Sequence, residues 1–257
     1  IIGTAILLGF WIAAREAKRT GQNPENYLDM GIIGVIAGIV GARLYYVIFS
    51  WDMYKDNLLD IFNLREGGLA IYGGVIAAVI SVLVLAKVKH LSAPQIFDTI
   101  AMALLNGQML GRWGNFFIEK QSDRGKRLLR ERFLRRLVFG RMHMTQQQLT
   151  EQMRRHIERI DGVSYIQVHP TFLYESLWCM VLLIILFAYR KHKKYEGELF
   201  LMYLFGYGLG RFWIEGLRTD QLLLPGVGIA VSQLLAGAIV VGTGAAMLYL
   251  RKKHKNS

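Results

Sequence analysis

The sequence predicts an all-α polytopic membrane protein with about seven transmembrane helices and a small outward-facing insertion. Three observations lead there. Apolar runs of about 20 residues recur along the chain, the length that crosses roughly 30 Å of hydrocarbon at 1.5 Å per residue. Basic residues collect at the flanks of alternate runs rather than along one face. Glycine is frequent (27) and proline scarce (4), as in packed membrane helices, where small residues let backbones approach. Hydrophobic residues are 53% and charged residues 19% of the 257. A greasy soluble enzyme could match those figures, so the distribution decides.

The apolar segments fall at about 1–14, 29–50, 68–89, 93–110, 169–189, 197–216 and 226–250. The opening run has no basic region ahead of it and no small-residue cleavage site, so a signal peptide is not expected. It reads as the tail of a first helix whose start lies upstream of residue 1. Basic clusters follow the first segment (Arg15, Lys18, Arg19), end the third (Lys87, Lys89), follow the fifth (Arg190, Lys191, Lys193, Lys194) and end the chain (Arg251, Lys252, Lys253, Lys255). All four fall on one side of seven crossings. The positive-inside rule then places the N-terminus outside, the C-terminus in the cytoplasm, and the connections 51–67, 111–168 and 217–225 outside.

The chain is read as one transmembrane domain, 1–257, with residues 118–168 as the insertion. The net charge of +12 follows the flanks of apolar runs, which points to a membrane surface and not to nucleic acid. Cys179 is the only cysteine, so neither an internal disulfide nor a cysteine metal cluster is expected. No repeat period of 20–50 residues is present.

Charged groups inside apolar runs are costly, about 2.5–3.5 kcal/mol each at a helix centre, and mark candidate sites. Arg43 lies in the second segment; Arg112 and Asn115 follow the fourth; Glu175 lies in the fifth; Arg211 and Glu215 lie in the sixth, with Arg218 beyond. In Gly111-Arg112-Trp113-Gly114-Asn115-Phe116 the two glycines permit a tight turn with exposed N–H groups. Arg112 offers a planar fork suited to phosphate. The same stretch could equally be a helix-ending turn with an interfacial arginine. Arg211 and Glu215 are four apart, on one helical face, and Arg218 returns near it. A simple ion pair is possible, but three charges on one stripe favour a polar cavity. Taken alone, Tyr72 between Gly67-Gly68 and Gly73-Gly74 reads as close packing, and His169-Pro170 to Glu175 reads as a capped helix start.

In this order, these stretches resemble the bacterial prolipoprotein diacylglyceryl transferases across essentially the whole chain. The Gly-Arg-x-Gly-Asn-Phe pattern at 111–116, His-Pro-x-x-Leu-Tyr-Glu at 169–175 and Gly-Arg-Phe-x-x-Glu-x-x-Arg at 210–218 carry the likeness. Gly41-Ala42-Arg43-Leu44-Tyr45-Tyr46 and Ser232-Gln233 add to it. The resemblance implies transfer of diacylglyceryl from phosphatidylglycerol to the lipobox cysteine thiol in a prolipoprotein signal peptide, at the outer face of the bacterial cell membrane. No cofactor and no metal are implied.

The implied catalytic residues are Arg112, Arg211, Tyr72 and Glu215. Arginines in a low-dielectric cavity would stabilise the charge growing on the leaving phosphate. Glu215 would fix an arginine. Tyr72, where many relatives carry histidine, would hydrogen-bond substrate or relay the thiol proton, although a phenol with pKa near 10 is a poor base. The implied phosphatidylglycerol-binding set is Arg112, Asn115, Gly114, Arg43, Arg218, His169 and Glu175.

One region departs from the family. After Phe116-Phe117 the family pattern continues with Asn, any residue and Glu, where this chain has Ile118, Glu119 and Lys120. Residues 118–143 carry nine basic and three acidic residues, half of the chain's net charge. A basic helix on anionic headgroups is one reading. Compensating frameshifts are the other. ATA GAG AAG CAA, shifted back one base after an A, reads AAT AGA GAA GCA, or Asn-Arg-Glu-Ala. Family-like sequence resumes near Met144-Thr145-Gln146. Two alternatives to the transferase stay open: a relative that binds phosphatidylglycerol without turnover, and a membrane transporter.

Overall fold

A computed structural model describes residues 1–55, 57–63, 67–122, 141–143, 157–160, 163–167, 170–217 and 230–255, with side chains described outside 115–167. Among these residues there are seven α-helices: α1 (Ile2–Arg19), α2 (Pro24–Phe49), α3 (Ile71–Val88), α4 (Ala93–Ser122), α5 (Thr171–Tyr189), α6 (Glu198–Glu215) and α7 (Val231–Lys255). Four of them, α2, α3, α5 and α7, are long and apolar enough to cross a membrane. Side chains such as Ile36, Ile48, Ile80, Ile184 and Val241 are exposed, as suits helices solvated by lipid.

The helix boundaries differ from the apolar runs for local reasons. α2 begins at Pro24, ahead of the apolar run, because Asn23 caps it: Asn23 Oδ1 accepts from the Glu25 N–H at 3.0 Å, and Pro24 opens the first turn. α3 begins at Ile71 rather than 68 because Gly67 and Gly68 are left-handed, with φ of 87° and 75°. α6 follows Gly197, also left-handed.

Residues outside the helices add what the sequence did not suggest, a three-stranded antiparallel sheet. Its strands are β1 (Arg141–His143), β2 (Ile157–Ile160) and β3 (Val163–Gln167), in the order β1-β3-β2. Ile166 of β3 pairs with Met142 on one side and Ile157 on the other.

The chain sorts into two compact units, residues 8–103 and residues 1–7 with 104–257. In the first, α2 and α3 meet through glycines. A Cβ on Gly41 would lie 2.7 Å from Gly73 O, and one on Gly74 would lie 3.1 Å from Gly38 O. These contacts are closer than helices with larger side chains allow, and they are the membrane mode of association. The core of this unit gathers Ala13, Ala17, Tyr27, Met30, Val82, Ala86 and Ile96. Lys89 closes it at one end, donating to Asn26 Oδ1 at 2.9 Å and to Asp29 Oδ2 at 2.5 Å.

In the second unit α6 is packed on two sides. Gly206 and Gly210 seat it against Leu182 and Trp178 of α5, and Gly208 seats it against Val240 of α7. Trp178 Nε1 donates to Gly206 O at 2.8 Å. Fully buried Glu198, at the start of α6, accepts from Arg251 Nε at 2.9 Å, Tyr189 Oη at 3.1 Å and the Lys194 N–H at 2.5 Å. That carboxylate ties together the ends of α5, α6 and α7.

Candidate functional site

Charged side chains from three helices converge in the second unit. Glu175, on α5, forms an ion pair with Arg112 of α4 through Oε2 and accepts from Arg211 Nη1 of α6 at 2.7 Å through Oε1. Arg211 Nη2 reaches Glu215 Oε2 at 2.8 Å, an ion-pair contact not aligned as a hydrogen bond. One carboxylate therefore holds both guanidinium groups, and a second holds Arg211 from the next turn of its own helix.

Exposure divides the network. The carboxylates of Glu175 and Glu215 are 8% and 6% exposed, whereas Arg112 and Arg211 are 28% and 24% exposed. The cations are thus the reachable members. Among the described residues two positive and two negative charges balance, which lets the cluster sit among apolar helices without an uncompensated buried charge. The fixed forks retain further N–H donors that could meet an anion with two or more oxygens.

Neighbouring side chains set the register. Ser176, next to Glu175, accepts from Trp113 Nε1 at 3.0 Å and donates to Met109 O at 3.1 Å. Trp113 is next to Arg112, so this link fixes the α4–α5 alignment that brings Arg112 to Glu175. Gln108 Nε2 donates to Tyr203 Oη at 2.9 Å, joining α4 to α6. Trp213 stacks on Tyr174 and meets the edge of Trp178. Gln233 Nε2 donates to Phe212 O at 3.1 Å, joining α7 to the residue after Arg211.

Sequence reasoning singled out all four charged residues but not Ser176 or Trp178. A small hydroxyl beside a buried carboxylate is the only sequence signal for the first. Trp178 shows itself through Gly206 and Gly210, four apart, but only if the facing helix is known.

The structure corrects one expectation. Gly111 to Phe116 do not form a turn; α4 runs through them to Ser122. Their N–H groups lie within the helix ladder and are not free to bind an anion as a turn's would be. The glycine penalty of about 1 kcal/mol each in a helix interior is opposed by the packing of their neighbours, Trp113 above all. Gly114 lies against Ile2; a Cβ there would be 3.2 Å from Ile2 Cγ1, a tight contact that the isoleucine would have to yield to.

The other expected site residues are distributed as follows. Tyr72 is in the first turn of α3 and is exposed. Arg43 is buried in α2 and donates to backbone carbonyls of the 57–70 connection, not to an open cavity. Asn115 is on α4, its side chain outside the described residues. His169 and Arg218 also lie outside them, as do 123–140, most of the anomalous basic segment. Among the described residues no group of three or more His, Cys, Asp or Glu is placed to hold a metal.

The chain is similar to known proteins along most of its length. Residues 1–250 match the profile of the family described as Prolipoprotein diacylglyceryl transferase. A protein of Bacillus mycoides (strain KBAB4) is 44% identical over 241 residues, covering 94% of this chain and 82% of that protein. Relatives from Bacillus thuringiensis subsp. konkukian (strain 97-27), at 44%, and Bacillus anthracis (strain CDC 684 / NRRL 3495), at 43%, share the same coverage. All three bear the name phosphatidylglycerol–prolipoprotein diacylglyceryl transferase. With its apolar helices and this match, the chain is an integral membrane protein that belongs to the prolipoprotein diacylglyceryl transferase family.

Proposed function

We propose that this protein transfers the diacylglyceryl group of phosphatidylglycerol to the lipobox cysteine of a prolipoprotein, the first step of lipoprotein maturation. The observation that supports it most is the junction of Arg112 and Arg211 on one carboxylate. Two forks held a carboxylate's width apart and partly exposed suit a phosphodiester, whose non-bridging oxygens resemble that carboxylate in size and charge.

In the reaction the cysteine sulfur bonds to the glycerol carbon that bears the phosphate. The carbon–oxygen bond to phosphate breaks, its electron pair stays on phosphate, and glycerol phosphate leaves. The thiol proton passes to a base or to the departing phosphate. Charge on phosphate grows along this path, so arginine donors already in place favour the transition state over the bound lipid. Glu175 and Glu215 keep the arginines converged and charge-balanced before lipid arrives. Tyr72 hydrogen-bonds substrate or relays the proton. Gly114, Asn115, His169 and Arg218 complete the headgroup region, by the resemblance of their motifs.

The reading includes seven crossings, with α1, α4 and α6 joining the four apolar spans; Arg112 of α4 and Arg211 of α6 are paired with carboxylates, which lowers the cost of placing them among apolar helices. The N-terminus lies outside, the C-terminus in the cytoplasm, and residues 118–168 form the outward-facing insertion, with 118–143 the product of compensating frameshifts. Resequencing tests that last point; a single uninterrupted reading frame dismisses it.

The function is tested with purified protein in phosphatidylglycerol vesicles and a lipobox peptide. The expected result is a peptide heavier by one diacylglyceryl group, with the gain on cysteine. Lipid binding without product overturns the transferase reading in favour of a lipid-binding relative, and solute flux without product favours a transporter.

A further inference from the structure

Arg43 lies on α2 with 7% of its surface exposed, yet among the described residues its partners include no carboxylate. Its Nε donates to Ile61 O at 2.8 Å. Nη1 donates to Gly67 O at 2.7 Å and Gly68 O at 3.0 Å, and Nη2 to Asp60 O at 2.6 Å and Asn63 O at 3.1 Å. A guanidinium has five N–H donors, and backbone carbonyls of a single connection, between α2 and α3, accept all of them. The group also lies over the Tyr54 ring at 5.1 Å.

The connection is shaped around this side chain. Gly67 and Gly68 have φ of 87° and 75°, the left-handed region open to glycine, and their carbonyls turn toward Arg43. A Cβ on Gly68 would run into Arg43 Nη1 and would lie 2.9 Å from the Tyr46 ring. Beside the clamp, Ala42 O accepts from the Ala70 N–H at 3.0 Å. Two consecutive residues of α2 thus hold both the middle and the end of the connection. Leu58, Leu59, Phe62 and Leu69 of the connection, and Ile71 at the start of α3, are exposed. Carbonyls bonded inward and apolar groups turned outward are what irregular backbone requires near lipid, where no water satisfies a free carbonyl. Tyr72 follows Ala70 by two residues.

We propose that Arg43 is a positioning residue for the transfer reaction: it locks the 57–70 connection from within, and so fixes the start of α3 and the direction in which Tyr72 is presented. With its donors occupied, Arg43 is not a ligand of the lipid phosphate. The proposal rests on the transferase reading, in which Tyr72 serves the reaction.

The test joins two measurements on protein in phosphatidylglycerol nanodiscs: amide hydrogen exchange across residues 57–74, and steady-state kinetics with a lipobox peptide and phosphatidylglycerol. Arg43→Ala should speed exchange in this stretch by about tenfold or more. It should lower kcat by about tenfold while leaving the phosphatidylglycerol KM within about twofold. Arg43→Lys should not restore either, because an ammonium cannot span five carbonyls. Gly68→Ala keeps the arginine but crowds its clamp, and should loosen the same stretch; it carries the test if Arg43→Ala does not fold. Unchanged exchange in an active Arg43→Ala protein overturns the clamp, and a raised lipid KM with unchanged kcat makes Arg43 a lipid ligand instead. A wild-type protein without turnover overturns the transferase reading and the positioning role with it, while the exchange data still judge the clamp.

Discussion

Arg211 and Glu175, 36 residues apart, meet at 2.7 Å between α6 and α5, and the other oxygen of the same carboxylate pairs with Arg112 of α4. The carboxylate acts as a template for the spacing of two cations. Its removal should therefore differ in kind from the removal of either cation.

Arg112→Ala or Arg211→Ala should cut lipid transfer by about 100-fold or more, the scale for losing a donor to developing charge. Insertion and helix content should persist, since each change leaves Glu175 one remaining arginine. Lysine should rescue poorly, because a point charge does not replace a fork. Mass spectrometry of the lipobox peptide reads the effect, and near-normal turnover in either alanine variant removes that arginine from the mechanism.

Glu175→Gln should lower thermal stability as well as turnover. Removing one partner from a buried pair costs about 3–5 kcal/mol, here toward the low end because the guanidiniums are 28% and 24% exposed. Glu215→Gln should be milder, since Arg211 keeps Glu175. Melting curves in one detergent compare them, and equal losses would show that the two carboxylates share the load.

Gly210→Ala should destabilise the protein by about 1–3 kcal/mol, the range for overpacking. Its Cβ would meet the Trp178 indole, whose Nε1 holds Gly206 O. Because Arg211 is the next residue, turnover should fall too. A stability equal to wild type would mean that Trp178 has room to move.

Glu198→Gln is the contrast. This fully buried carboxylate binds Arg251, Tyr189 and the Lys194 N–H, none of which belongs to the proposed site. Stability should drop while the phosphatidylglycerol KM of the folded protein holds within about twofold. A large KM change would connect this end of the helices to lipid binding.

Tyr72→Phe removes only the hydroxyl and should lower kcat about 100-fold if that group relays a proton. Tyr72→His should retain activity, as the histidine of many relatives implies. Unchanged kinetics in Tyr72→Phe would leave the proton to another group.

The helical, membrane-embedded architecture was legible in the sequence because it follows from local order: long apolar runs, basic flanks and few prolines. The positions of Arg112, Glu175, Arg211 and Glu215 were equally visible, since a charge in an apolar run has few innocent explanations. Even the Arg211–Glu215 pair follows from helical spacing. What the linear pattern does not contain is which carboxylate joins the two arginines, because that depends on how α4, α5 and α6 align across Ser176, Trp113 and Trp178. Nor could it show that Gly111 and Gly114 continue a helix, where two glycines in one motif read as a turn. Arg43 is the plainest case: its partners are backbone carbonyls, which every residue carries. Short-range periodicity is written in residue types, whereas cross-helix register is decided only by packing, and only the tertiary structure distinguishes an arginine turned toward an open face from one closed within a loop.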